Sequence, residues 1–346
     1  VKIAHLFAAI EPTGGDRISY HHVNGLRKLG HIVDVYYADI FENYWKDCEF
    51  MSPEAQEYMF KYDPVVLDAP VNNYNSMFSK YDMVVSNGLF GSNNASKIDH
   101  PLKIWFCQNL DKYVFPHVSQ KDKSHIDNLY RTQRNYMAYS PHLLQLIEHY
   151  YGKGINSILC TNGITYRKFE PYRKVGNGNS KRVCFMSAYN GVLKRSKFAD
   201  QVFEELNSRG FTTVEINAHK KGLIHSQEFY KNPDFDSKCK IIAGCDIMLH
   251  PSIFETWSLV TMESMALGVP VVGYDSKGVS LFAKDDRDIV FVYHFDVNLF
   301  CDAIEDLIND KEHYQNIQEG GIKTSSQYDW DDIMPEIESS YLNWLE

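Results

Sequence analysis

The stretch Ile247-Met-Leu-His-Pro-Ser-Ile-Phe-Glu-Thr-Trp-Ser-Leu-Val-Thr-Met-Glu-Ser-Met-Ala-Leu-Gly-Val-Pro-Val-Val-Gly273 decides how the chain is read. Its first four residues form an apolar strand that ends at a Pro251-Ser252 corner. Leu259 onward reads as a helix closed by Gly268, and Val269–Gly273 as the returning strand. Strand, loop, helix, glycine stop and strand make one βαβ unit. On a wheel of about 100° per residue starting at Leu259, Met262, Ala266 and Leu267 fall within roughly 80° and define a buried stripe. Glu263 falls at about 40°, inside that stripe. A carboxylate there needs a partner, because burying one alone is costly. Glu255 lies in the loop feeding the same helix. Two carboxylates therefore bracket a helix N-terminus whose free N–H groups attract anions. That arrangement suits a ligand carrying both hydroxyls and phosphate. The same spacing also fits a core glutamate held by an internal Arg or Tyr, with Glu255 a solvated loop residue.

Working outward, the chain of 346 residues is long enough for two domains. An apolar content of 44% with 23% charged residues describes a globular protein. No apolar run approaches the length of a membrane span. Val1-Lys-Ile-Ala-His5 enters a strand at once, so a secretory leader is not expected. The seven cysteines are odd in number and scattered, without zinc-ligand spacing. Reduced thiols in a cytoplasmic location are the expectation. A net charge of −10 argues against a general nucleic-acid binder.

Other apolar runs complete an α/β pattern. Lys2–Ala8 reads as a first strand, followed by a Gly14-Gly15 turn, a helix over about 18–29 closed by Gly30, and a strand at Ile32–Tyr37. The glycines do not form a dinucleotide fingerprint. Residues 40–80 have no clear pattern beyond a short helix near 53–61. Met83–Ser86 and Ile104–Cys107 read as buried strands. Gln108 and Asn109 stand at the end of the second, where open α/β sheets place ligand groups. Either could bond a ligand group or simply its own backbone. Lys121–Arg134 is helical and mildly basic. Tyr136–Ser140 is a strand that leads into a helix capped by Ser140-Pro141. Asn162-Gly163 is a turn with positive φ. Residues 170–181 have linker composition, and Arg182–Met186 starts a second sheet. Lys194 and Arg195 open a helix with Phe198, Val202, Phe203 and Leu206 at helical spacing. A cation is unfavourable at that helix end, so an anionic partner is expected. Thr213–Asn217 and Ile289–Tyr293 are further strands, and Tyr328–Leu345 is an amphipathic final helix.

Pro251-Ser252, Glu255, Leu259, Glu263-Ser-Met-Ala266, Gly268 and Pro270-Val-Val272 resemble the donor-site signature of retaining GT-B glycosyltransferases, the family 4 group. The resemblance extends over nearly the whole chain and is most specific at 245–273. It implies two Rossmann-like domains with parallel sheets facing across a cleft. The first, residues 1–168, would be the acceptor side, with a final helix at about 330–346 packing back on it. The second, 169–329, would bind the donor.

In the family, the first glutamate contacts the transferred sugar and the second the ribose. This implies those roles for Glu255 and Glu263, and backbone contacts to the donor from Thr256, Trp257, Ser258, Leu259 and Val260. Lys194 aligns with the lysine that neutralises the diphosphate, and Arg195 is a second cation. Gly14 and Gly15 match a Gly-Gly that lets the backbone approach the donor phosphates. His219 corresponds to a loop near the base, and Gln108 or Asn109 to a residue near the sugar.

Two departures stand out. Thr256 and Ser258 replace glycines, and an arginine expected just after the Arg182–Met186 strand is absent near Ala188 and Tyr189. The resemblance implies a UDP- or GDP-linked sugar donor, a glycan or lipid acceptor, retention of configuration and no metal. Peripheral membrane contact is left open. A non-catalytic nucleotide-sugar binder and a GT-B nucleotide-sugar epimerase are the alternatives.

Overall fold

The computed structural model describes residues 1–7, 14–38, 65–67, 74–111, 119–174, 180–187, 192–217 and 222–346. The chain divides into two compact units, Val1–Asn162 with Trp330–Glu346, and Gly163–Asp329. The break falls between Asn162 and Gly163, ahead of the 168/169 boundary read from sequence. The positive-φ turn expected at Asn162-Gly163 is not formed, since neither residue has positive φ and neither lies in a turn.

In the first unit, β1 (Lys2–Phe7), β2 (Ile32–Ala38), β3 (Val65–Leu67), β4 (Met83–Asn87), β5 (Lys103–Phe106), β6 (Asn135–Ala138) and β7 (Asn156–Leu159) form one sheet in the order β3-β2-β1-β4-β5-β6-β7. Every pairing is parallel. Such strands are covered on both faces, which is why β4 reads as an unbroken buried run. The chain direction across the sheet reverses between β1 and β4. The final helix, Trp330–Leu342, packs within this unit. Trp330 stacks on His21 at 4.6 Å between ring centroids, and Glu338 meets His31 at 2.6 Å.

The first helix spans Gly14–Lys28. Gly14 and Gly15 therefore lie in its first turn, not in a loop, and neither has positive φ. Gly15 lies against the Gln108 side chain instead. A Cβ there would sit 1.8 Å from Gln108 Oε1.

In the second unit, β8 (Arg182–Met186), β9 (Thr212–Asn217), β10 (Glu228–Lys231), β11 (Ile247–His250), β12 (Val271–Gly273) and β13 (Val290–Phe291) form a parallel sheet in the order β10-β9-β8-β11-β12-β13. Its reversal lies between β8 and β11. The core is Val183, Phe185, Ile247, Leu249 and Val272 from the strands with Phe198, Val202, Phe203 and Leu206 from the helix Ser196–Ser208, and Phe300, Ile304 and Leu307 from the helix Val297–Asn309. Residues 170–174, read as linker, are pinned. Lys174 donates to Cys245 O at 2.7 Å and pairs with Asp246, while Arg173 Nε donates to Ala266 O at 3.2 Å. No helix of the described residues is long and apolar enough to cross a membrane.

Candidate active site

In open α/β sheets, ligand groups gather at the carboxyl ends of the strands where the strand order reverses. In the second unit that place is the end of β11, where His250 closes the strand and the chain turns at Pro251-Ser252. Gly273 pairs with His250 in register. A Cβ on Gly273 would lie 2.6 Å from His250 O, so only glycine lets the two strands meet there. Beyond the corner, Ile253 N donates to Leu193 O at 3.0 Å, which ties the loop carrying Glu255 to the loop carrying Lys194.

That tie brings Lys194 Nζ onto Glu255 Oε1 in an ion pair. The anion expected at Lys194 is thus the site's own carboxylate. His250 Nε2 stands 3.8 Å from the same oxygen, too far for a hydrogen bond, and has no hydrogen-bond partner. Burial, with the Lys194 charge adding to it and Glu255 opposing, pushes the His250 imidazole down to about 4, so it is neutral at pH 7. Burial would raise the Glu255 carboxyl, but the charge and hydrogen bond of Lys194 outweigh it and hold the group below its ordinary value.

The loop on the other side of Glu255 is equally tight. Glu255 N donates to Ser276 O at 3.2 Å, and Glu255 bridges Lys277. A Cβ on Gly278 would lie 2.4 Å from Glu255 O and 2.6 Å from Trp257 N. Gly278 was not singled out from sequence, although Ser276-Lys-Gly278 is a turn-rich tripeptide.

The helix Leu259–Ala266 starts at Ser258, whose Oγ accepts from Thr261 N at 3.4 Å. Ser258 has φ 103° and ψ 88°. A serine therefore holds a left-handed backbone where the resembled family has glycine. Trp257 is buried against Phe282 at 5.1 Å and Tyr328 at 5.3 Å. Its ring belongs to the core, leaving only its backbone for a ligand. Thr256 is buried as well.

The expected stripe is corrected. The helix buries Thr261, Met262, Ser264, Met265 and Ala266, while Leu259, Val260 and Glu263 are half-buried. The helix is enclosed on most sides, so Leu259 is not the centre of a narrow apolar face. Glu263 instead shares the partly open side with Leu259 and Val260, four and three residues earlier. It is also partnered, because Lys238 Nζ donates to its Oε2 at 2.9 Å. The partner is neither Arg nor Tyr, and it comes from the helix Phe235–Ala243.

Arg195 caps the helix Ser196–Ser208 with φ 55°. Its guanidinium lies 4.1 Å from the Phe295 ring centroid and 5.5 Å from that of Phe198. The structure thus places it on aromatic faces. Another missed residue is Glu215, a charge inside the apolar run of β9. Its carboxylate accepts from Ser187 Oγ at 2.6 Å, Gly222 N at 2.8 Å, Leu223 N at 3.1 Å and Ser226 Oγ at 3.3 Å. These bonds anchor the end of the loop that follows β9. His219, with Ala188 and Tyr189, lies outside the described residues.

In the first unit the structure brings Gly15 and Gln108 together. Gln108 Nε2 donates to Gly15 O at 2.8 Å and to Ser19 Oγ at 2.9 Å. Ser19 Oγ donates to Asn87 Oδ1 at 2.6 Å. Asn87 Nδ2 lies 3.3 Å from His5 Nδ1, and the Tyr341 hydroxyl joins His5 Nε2 at 3.2 Å to His22 Nδ1 at 3.1 Å. Burial, with Arg27 adding to it, pushes His5 down to about 3. Burial also holds His22 well below its ordinary value. Asn109 is exposed, and its carbonyl accepts from Tyr130 OH at 3.2 Å and Cys107 Sγ at 3.1 Å. Beneath it, Tyr130 OH donates to Asp111 Oδ2 at 2.7 Å. Burial raises the Asp111 carboxyl to about 7, against the pull of the Tyr130 hydrogen bond. Among the described residues no cluster of three or more His, Cys, Asp or Glu could hold a metal ion.

Residues 208–324 match the family model for glycosyl transferases group 1. This segment is similar to the glycosyl transferases group 1 family. The match includes Glu215, Lys238, Glu255 and Glu263, and stops short of Lys194 and Arg195. The chain is similar to D-inositol 3-phosphate glycosyltransferase of Corynebacterium diphtheriae, at 26% identity over 120 residues, 35% of this chain and 28% of that protein. It is also similar to lipopolysaccharide 1,2-N-acetylglucosaminetransferase of Salmonella typhimurium, at 28% identity over 106 residues, 29% of this chain and 27% of that protein. The chain thus matches less than a third of the length of either relative. In structure, the chain resembles Anabaena HepE in complex with UDP-glucose. The TM-score is 0.75 at 15% identity, with 99% of each chain covered. Sucrose-phosphate synthase from Thermosynechococcus elongatus gives a TM-score of 0.76 at 12% identity, over 100% of this chain and 99% of that one. The fold is GT-B.

Proposed function

We propose that the protein is a glycosyltransferase that moves a sugar from a UDP- or GDP-linked donor to a glycan or lipid acceptor with retention of configuration. The observation that carries this reading is the Lys194–Glu255 pair at the end of β11, set one helical segment away from the Lys238–Glu263 pair. A cation and a carboxylate beside a helix start are the groups that a diphosphate and a sugar require. The names of the relatives and the UDP-glucose held by HepE lend support.

In this reading Lys194 meets the negative charge that grows on the diphosphate as the glycosidic bond breaks. Glu255 accepts from hydroxyls of the transferred sugar. The free edge of Glu263 accepts from the ribose, while Lys238 holds its other oxygen. Backbone N–H groups of the Thr256–Val260 loop, at a helix start, face the phosphates. Among the described residues no side chain is assigned as a covalent nucleophile in this reading. The departing phosphate takes the acceptor proton on the face where the acceptor attacks. The reaction is proposed to be metal-independent and cytoplasmic.

The test is a panel of UDP- and GDP-sugars, with donor loss, transfer and product configuration followed by mass spectrometry and NMR, with and without EDTA. Transfer with retention that survives EDTA is expected. Donor binding without turnover would leave a nucleotide-sugar binder, and donor conversion without acceptor an epimerase. Lys194→Ala is expected to lower kcat by about 10²-fold or more, the scale seen when a charge-stabilising donor is removed. Glu263→Ala should weaken nucleotide binding, and unchanged nucleotide affinity would contradict the ribose role.

A further inference from the structure

Gln108, Ser19, Asn87, His5, Tyr341 and His22 of the first unit form one continuous hydrogen-bonded chain. All but Gln108 are buried. Two backbone carbonyls, which can only accept, fix where its hydrogens lie. Gln108 Nε2 donates to Gly15 O at 2.8 Å, and its second hydrogen goes to Ser19 Oγ at 2.9 Å. Ser19 has one hydrogen. Asn87 Oδ1 at 2.6 Å receives it, ahead of Gly15 O at 3.3 Å. Asn87 faces Leu6 O at 3.4 Å with its Nδ2, and the same nitrogen meets His5 Nδ1 at 3.3 Å. His5 Nδ1 must then accept, which puts the His5 hydrogen on Nε2. That Nε2 donates to the Tyr341 hydroxyl at 3.2 Å, and Tyr341 gives its single hydrogen to His22 Nδ1 at 3.1 Å. His22 is left with its hydrogen on Nε2. Every donor points the same way, from Gln108 to His22. Both imidazoles are neutral at pH 7, since burial lowers His5 to about 3 and holds His22 well below its ordinary value.

We propose that Tyr341, on the final helix Trp330–Leu342, is a positioning residue that holds the Gln108 amide through this chain. For its effect on turnover the inference rests on the glycosyltransferase reading above, in which Gln108 stands near the sugar. The Tyr341 hydroxyl accepts from His5, and that bond selects the Nε2–H tautomer. Without it nothing keeps Nδ1 bare. A hydrogen on Nδ1 would meet the Asn87 amide hydrogen head-on, so Asn87 must turn over. Its oxygen then faces Leu6 O, and its N–H faces Ser19 Oγ. The Ser19 hydrogen is driven to Gly15 O, the same carbonyl that holds Gln108. Two donors compete for one acceptor, and the Gln108 amide is loosened. Bonds in such a chain polarise one another, so a break at one end is felt along it. The seat leaves little slack, because a Cβ on Gly15 would lie 1.8 Å from Gln108 Oε1. Asn87 closes β4 and Gln108 follows β5. Both stand at carboxyl ends of strands, where open α/β sheets gather ligand groups.

The experiment follows the Gln108 side-chain amide and the His5 and His22 rings by NMR in ¹⁵N-labelled protein, assigned with Gln108→Glu, His5→Gln and His22→Gln. Both rings are expected as Nε2–H tautomers, and an Nδ1–H tautomer at either would overturn the chain. Tyr341→Phe keeps the ring and removes the hydroxyl. It is expected to move the His5 hydrogen toward Nδ1 and to shift the Gln108 amide signals. Unchanged Gln108 signals refute the positioning. Glu338→Gln weakens a different contact of the same helix, the one to His31, and should leave the Gln108 signals in place. An equal shift there would mark general loosening of the helix and sink the proposal. Turnover is measured as a cycle of Tyr341→Phe and Ser19→Ala. Each is expected to lower kcat by about tenfold, inside the range of about 10² that misplacing a group from afar produces. The double variant should be no worse than Ser19→Ala alone, because the chain is already cut. Losses that multiply, as at independent sites, would refute the coupling. A wild type without transfer, in which Tyr341→Phe still moves the Gln108 amide, would overturn the function and leave the positioning standing.

Discussion

Replacing Ser258 by glycine should stabilise the second unit, although it removes a helix cap. Ser258 holds φ 103°, and a non-glycine residue in that region costs on the order of 1–3 kcal/mol. Glycine relieves that strain. Two losses oppose the gain. The cap bond from Thr261 N is long, at 3.4 Å, and exchanging a serine cap for glycine costs only a few tenths of a kcal/mol. Glycine also has more freedom to lose on folding, roughly 0.5–1 kcal/mol. The balance is a gain of about 1 kcal/mol. For a unit of this size that raises the midpoint by roughly 2–4 °C. Urea and thermal unfolding of the wild type and Ser258→Gly, with Ser258→Ala beside them, provide the assay. Ser258→Ala keeps the strain and loses the cap, so it should fall by about 1 kcal/mol. The reasoning fails if Ser258→Gly is less stable than wild type. The hydroxyl, which also lies 3.0 Å from Thr261 Oγ1, would then contribute more than the backbone strain removes. Because Ser258 starts the helix that faces the proposed phosphates, the same variant should keep its turnover. A large loss of kcat with a gain in stability would show that the strained backbone itself aims the N–H groups at the ligand.

Three further outcomes follow from single contacts. Gly278→Ala puts a methyl 2.4 Å from Glu255 O, so the loops must part. Overpacking of this kind costs typically 1–3 kcal/mol, and kcat/KM for donor should fall by more than the stability change alone explains. Glu215→Gln replaces one of two acceptor oxygens by an NH₂ that faces either Gly222 N or Leu223 N. One buried donor is left unpaired, at about 1–3 kcal/mol, readable in urea midpoints. Asp111→Asn is a pH test. The folded carboxyl titrates at about 7, above its ordinary value of 3.8, so the folded state binds the extra proton. Wild-type stability is therefore lost as pH rises from about 4 to about 7, by at most roughly 1.4 kcal/mol per unit. The variant should gain on the wild type across that window, reaching on the order of 2–4 kcal/mol, and stay level above it. His5 and His250 act in the opposite sense, with folded pKa values below the unfolded ones, but they cancel in the difference between the two proteins. A difference independent of pH would remove Asp111 as a titrating group.

The strands were legible because parallel sheets bury both faces. Met83–Ser86, Ile104–Phe106, Arg182–Met186 and Ile247–His250 are runs that leave little choice. β10, Glu228-Phe-Tyr-Lys231, sits at a sheet edge with half-open side chains and has no such run, so it escaped. Gly14-Gly15 misled because paired glycines usually signal a turn. Here the requirement is the amide of Gln108 lying against the first turn of a helix, a contact between residues 93 positions apart. Glu263 misled for a related reason. A helical wheel assumes one buried face, while this helix is covered on most sides and its open flank is set by neighbours. Lys238 could not be found at all from spacing, because its distance to Glu263 depends on how two helices pack. Glu255 and Lys194 were visible as residues, yet their contact was not, since it is made by the Ile253–Leu193 hydrogen bond joining two loops.

That contact changes how the candidate site must work. Two half-buried acids and two half-buried lysines would each be unfavourable alone. Paired as Lys194–Glu255 and Lys238–Glu263, each carboxylate is offset by a lysine. A ligand is then recognised by exchange and not by filling a charged hole. The two pairs differ in what an exchange requires. Lys238 holds one oxygen of Glu263, and hydroxyls can donate to the other while the ion pair persists. Lys194 pairs with the Glu255 oxygen that lies 3.8 Å from the buried His250 imidazole. Only an anion strong enough to compete with a carboxylate can part them. Under the proposed function, a nucleoside meets the first pair alone and leaves Lys194 where it is, whereas a nucleoside diphosphate meets both. Under that function the diphosphate is the part of the donor that competes with Glu255 for Lys194.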